Sequence, residues 1–185
     1  MVIVTPFPRP PAPIREALHT LAVLRSGDNE QIEALGDVTD APRPWHPASC
    51  DEELRIHLWR WSDQVAAWID RDCVWRPTGM IPGCWPRHPH LANELPGLAC
   101  QRLTAEGAYG PELLEEWHRY TLPMFLDRVA ARVGDGGCRS GKHTDWPAAS
   151  SYDADTDPAA AVERQQHLRA DTSPTRNLRL VRRTP

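Results

Sequence analysis

Between Pro47 and Pro77 the chain runs without a proline, and there Leu54, Leu58, Trp61, Val65, Trp68 and Ile69 recur at three- and four-residue intervals. Only a helix gathers such positions on one face, so the spacing predicts an amphipathic helix over about residues 50 to 72. Ser49 and Glu52 fit a capping box at its start, and Asp51 and Glu53 place negative charge at the positive end of the dipole.

Outside that window proline dictates what can be regular structure. Nineteen prolines in 185 residues are about twice the usual share, and each removes a backbone donor and fixes φ. Pro6, Pro8, Pro10, Pro11 and Pro13 predict a disordered leader over residues 1–13. Residues 14–47 read as a weakly helical segment and linker, with Ile14, Leu18, Leu21 and Leu24 on one face, a short helix from Asn29 to Leu35, and Pro42, Pro44 and Pro47 after it. The turn-rich loop from Trp75 to Pro86 is expected to fold Trp75, Met80, Ile81 and Trp85 back onto the helices. A further helix starts at Pro89, carries Leu91 and Leu95, and bends or restarts at Pro96-Gly97.

Gly110-Pro111 opens the last strong helix, to about residue 133. Leu113, Trp117, Tyr120 and Met124 form one stripe, with Leu114, Thr121, Phe125 and Val129 beside it, and Pro123 predicts a kink one turn earlier. Residues 48–146 thus form a helical core domain, and 147–185 a polar helix followed by a disordered basic tail. The fold class is mainly α: a small Trp-rich helical domain with Pro-rich loops and disordered termini. Eight Trp against two Phe and three Tyr make indole the chief aromatic bulk.

Five cysteines without a cationic, apolar leader fit a reducing cytoplasm better than a disulfide framework. No stretch has the apolar length of a membrane span, so no membrane partner is expected. A net charge of -4 gives no global attraction for nucleic acid.

Two pairs of metal-binding residue types stand out. Cys84 and His88 lie in one proline-rich turn, Cys138 and His143 in a glycine-rich one. Two thiolates and two imidazoles from separate turns match a structural Cys2His2 zinc site. His90 and Cys73 lie near enough to compete as ligands. Other chemistry finds less support. Glu115 and His118 have the step of a bundle metal motif, but its second copy is missing. The sequence contains no nucleophile elbow, no zinc-protease motif and no phosphate loop.

Trp59 falls off the face shared by Trp61 and Trp68, so Trp59, with Trp85, is a candidate partner surface. Arg55, Arg60, Arg71 and Arg76 cluster near the first core helix, but Glu52, Glu53, Asp63, Asp70 and Asp72 dilute them into an ordinary solvated face. The C-terminal Arg176, Arg179, Arg182 and Arg183 offer phosphate contacts without sequence preference, which makes DNA a candidate partner.

Taken in order, the Trp-rich run Trp59 to Trp75, Trp85-Pro-Arg-His88-Pro89, Glu116-Trp117-His118, Pro123 and Gly137-Cys138-x-x-Gly141-x-His143 resemble an uncharacterised family of actinobacterial proteins. That family occurs on plasmids, integrative elements and phages, and the likeness spans roughly residues 54 to 146. The cysteine ahead of the His-Pro pair sits closer to the histidine than the family pattern places it, so Cys84 stands on its spacing alone. The resemblance implies a mobile-element context and no assigned reaction. The expected function is therefore a non-catalytic accessory protein that binds a macromolecular partner, with a structural zinc. The alternatives are a zinc-dependent enzyme, or a DNA-binding module that docks helix 111–133 and holds phosphates with the basic tail.

Overall fold

The computed structural model describes residues 4–26, 29–36, 40–133, 137, 138, 142–145, 148 and 158–172. The chain divides into two units, Met1–Thr144 and Asp145–Pro185. Among the described residues every regular element is helical, and no helix is long and apolar enough to cross a membrane.

The centre of the first unit is α3, Glu52–Asp72, preceded by α1, Ala12–Ser26, and α2, Asn29–Leu35. Leu54, Leu58, Trp61, Val65, Trp68 and Ile69 are all buried, as their spacing requires. The cap is Asp51 rather than Ser49: its carboxylate accepts from the Leu54 amide at 2.8 Å. Ser49 is occupied one turn earlier, where its hydroxyl accepts from the Arg43 amide at 2.9 Å and donates to the His46 carbonyl at 2.8 Å. α2 buries nothing and ends at Gly36, whose φ of 74° is left-handed and suits a residue without Cβ.

The leader is built into the core, which corrects the expectation of disorder for its described part. Phe7 is buried and meets the rings of Trp61 and Trp68 edge-on, at 6.4 and 5.2 Å. The two buried indoles need acceptors, and the extended proline segment supplies them. Trp61 Nε1 donates to the Pro8 carbonyl at 2.9 Å and Trp68 Nε1 to that of Thr5 at 3.1 Å. Proline density fixes an extended shape here, and that shape leaves carbonyls free to accept.

α4, Pro89–Glu106, runs unbroken through Pro96. Burial of Leu91, Leu95, Leu98 and Ala99 on one side offsets the hydrogen bond that the proline removes. α5, Glu112–Glu116, passes through a π-helical turn, Trp117–Thr121, into α6, Leu122–Val133. In that turn the Leu122 amide donates to the Trp117 carbonyl, one residue further back than in an α-helix. The wider turn lies just before Pro123, where the proline ring would crowd a regular one.

That extra residue rotates the register. Trp117, Leu122, Phe125 and Val129 face the core, whereas Tyr120 and Met124, expected on the buried stripe, are exposed; Leu113, which precedes the turn, is exposed as well. The loop after α3 is likewise half right: Ile81 and Trp85 pack inward, but Trp75 is 94% exposed and Met80 lies out with it. In the second unit α7, Pro158–Thr172, leaves Val162 and Leu168 exposed, as a helix without an apolar face should. Arg176, Arg179, Arg182 and Arg183 lie outside the described residues.

Candidate metal centre

The Cys-Trp-Pro-Arg-His run between α3 and α4 folds into one 3-10 turn, Trp85–Arg87, with Cys84 capping one end and His88 the other. His88 also begins α4, its carbonyl accepting from the amides of Leu91 and Ala92 at 2.9 and 3.0 Å. Trp85 fastens the turn from within: it is 3% exposed, and its Nε1 donates to Asp63 of α3 at 3.3 Å. The indole therefore belongs to the core, which removes Trp85 from the expected partner surface. Trp59 remains on that surface, 41% exposed, with its ring 5.4 Å from that of Trp85.

Cys138 follows the end of α6 and comes in against this turn. Gly137 is what lets it: a Cβ built there would run into the Val133 carbonyl oxygen. Thr144 donates its amide to Cys138 Sγ at 3.1 Å, a hydrogen bond that suits a thiolate.

Cys84, His88, Cys138 and His143 thus converge, their ligand atoms all within 4.8 Å of one another. Cys84 Sγ lies 3.5 Å from His88 Nε2 and 3.4 Å from His143 Nδ1. Cys138 Sγ lies 3.1 Å from His88 Nε2 and 3.6 Å from His143 Nδ1. A tetrahedron with zinc–sulfur and zinc–nitrogen bonds of about 2.3 and 2.0 Å has sulfur–nitrogen edges of roughly 3.5 Å. Three of the four separations are close to that edge, and the shortest needs to open by about 0.4 Å. Two thiolates also neutralise a divalent ion, which suits a site where His88 and Cys138 are buried.

Without a cation the arrangement is unfavourable for charge. Burial first, and then the neighbouring Cys138 thiol, raise the Cys84 pKa. A metal ion reverses that balance by stabilising the thiolates directly. The sequence-level competitors are elsewhere: neither His90 nor Cys73 joins the cluster. Burial pushes the Cys73 thiol up to about 11 and the Cys100 thiol up to about 12, so both stay protonated at neutral pH. Glu115 and His118 belong to no such cluster among the described residues, and Glu115 pairs with Arg119.

Several supporting residues carried no sequence signal: Asp63, which holds the ligand turn through Trp85, the Thr144 amide, and Glu94, which joins α4 to α6 by accepting from Arg128 and Arg132. Long-range packing brings Asp63 and Glu94 to their partners, whereas Thr144 lies only six residues from Cys138.

Fold and site together define a small all-α domain with a Cys2His2 cluster able to hold a metal ion where the α3–α4 turn meets the segment after α6. No family model, curated protein or solved structure matches the chain.

Proposed function

We propose that this is a non-catalytic accessory protein of a mobile genetic element, working in the cytoplasm, whose helical domain is stapled by one structural zinc and binds a macromolecular partner. The observation that carries the staple is the convergence of four ligand atoms of two soft and two borderline donors within 4.8 Å. Four protein ligands complete a zinc coordination shell and leave no position for a reactive water, which favours a structural role over a zinc-dependent enzyme. A reducing compartment keeps both thiols available as ligands. The mobile-element context rests on the resemblance of residues 54 to 146 to the actinobacterial family.

The test is metal content on untagged protein, with melting curves with and without chelator. About one zinc per chain is expected, and Cys84→Ser or Cys138→Ser should abolish it and lower Tm as chelator does. A chain that purifies without metal, and melts identically in chelator, removes the staple. One that binds zinc with an exchangeable water restores the enzyme reading.

A further inference from the structure

Of the five carboxylates that flank the arginines of α3 in the sequence, only Glu52 lines the same patch as Arg55 and Arg60. Asp63 accepts from the Trp85 indole, Asp70 from the Ile81 amide at 2.8 Å, and Asp72 pairs with Arg71. Glu52 and Glu53 sit in the first turn of α3, where the helix dipole favours them. Arg55 and Arg60, in contrast, take part in no ion pair among the described residues.

At helical spacing Arg55 and Arg60 fall on either flank of Ile56 and Trp59. Ile56 and Trp59 are 46% and 41% exposed, and with both arginines and Glu52 they line an open groove of about 470 Å³. Trp59 is backed by the buried Trp85, itself fixed by Asp63, so its ring is a supported platform rather than a loose side chain. One exposed ring between two unpaired cations is complementary to a planar ring between two anions.

We propose that this face of α3 binds single-stranded nucleic acid, one base stacking on Trp59 and the adjoining phosphates meeting Arg55 and Arg60. Stacking on an indole tolerates any base, so the site reads strandedness rather than sequence. Glu52 repels phosphate at the amino end of the groove and confines the strand to the path past Arg55, Trp59 and Arg60. The inference builds on the partner-binding reading and names the partner.

The experiment is fluorescence anisotropy of a short labelled oligothymidylate with the full metal-loaded chain over a salt series. Trp59→Ala should weaken binding by about fivefold or more while leaving the salt slope in place. The double variant R55Q/R60Q should reduce the slope of log affinity against log salt by about 1.4, the value for two lost phosphate contacts on a single strand. Trp59→Phe, which keeps a stacking face, should retain most of the affinity and guards against a Trp59→Ala chain that misfolds. Three outcomes would overturn the proposal: no binding at low salt, binding indifferent to Trp59 as the C-terminal arginines would give, or displacement by polyglutamate as readily as by unlabelled oligothymidylate. The last would reassign the groove to an acidic protein segment. Metal content measured on every variant reports the zinc staple separately, so loss of the staple and loss of the groove register as different results.

Discussion

Arg102 is 9% exposed, and among the described residues its Nε has no hydrogen-bond partner. Its guanidinium lies over three rings, 5.2 Å from the centre of Phe7, 5.6 Å from Trp117 and 5.9 Å from Trp68, while Nη1 reaches Glu106 at 3.1 Å. A desolvated cation–π contact is worth up to about 2 kcal/mol, which is how a mostly apolar site can hold a charge. Asp70 is the opposite case. Burial raises its pKa to about 6, against the smaller lowering effect of the Ile81 amide. A folded pKa above the ordinary 3.8 means that the folded protein binds the proton more tightly than the unfolded chain does. Stability from this group is therefore greatest at low pH, falls as pH rises between about 4 and 6, and is level above that. Asp70→Asn keeps an oxygen for the Ile81 amide and cannot ionise. Relative to wild type it should gain about 1 kcal/mol between pH 4 and pH 7, after discounting for solvent access. Urea unfolding of both proteins at the two pH values checks this, and an unchanged difference would show that Asp70 is solvated.

At the scale of elements, α3 was legible because six apolar positions follow one uninterrupted helical period. Its cap was less so. Ser49 and Asp51 carry equivalent chemistry, and the choice fell to the 43–49 turn, which engages the serine hydroxyl. The stripe on α5 and α6 was misread at Tyr120 and Met124, because the i to i+5 bond at Trp117–Thr121 inserts a residue that no α-helical template contains. Pro123 marked the place of the irregularity but not its form. The passage from α6 to the metal centre depends on Gly137 in a way that can be measured. Gly137→Ala puts a methyl group onto the Val133 carbonyl, a backbone atom that cannot simply turn aside. Displacement of Cys138 should follow, with zinc affinity reduced at least about tenfold, as for loss of a supporting group. Competition against a chromophoric chelator reads it, and wild-type affinity in Gly137→Ala would mean that the turn relaxes freely.

For the molecule as a whole, the site sits at the edge of a core that has its own cohesion. The buried cluster of α1, α3, α4 and α6, with Phe7 of the leader, joins residues outside the ligand turns, such as Ile14, Leu58 and Phe125, and reaches the site through Trp85. With the proposed zinc bound, its removal should therefore leave far-ultraviolet dichroism at 25 °C nearly unchanged, lower Tm, and open Lys142 to trypsin. Global loss of helicity on chelation would instead make the metal a condition of folding. What the sequence by itself determined is local: helical period, proline breaks, and the donor types at Cys84, His88, Cys138 and His143. Whether those donors meet, whether the leader is packed, and that Asp63 is drawn to Trp85 and away from the arginines were decided only in three dimensions. The physical reason is that each depends on groups distant in sequence. An indole amine takes its acceptor, and a thiol its partner, from whatever strand of chain the packed helices bring within about 3 to 4 Å.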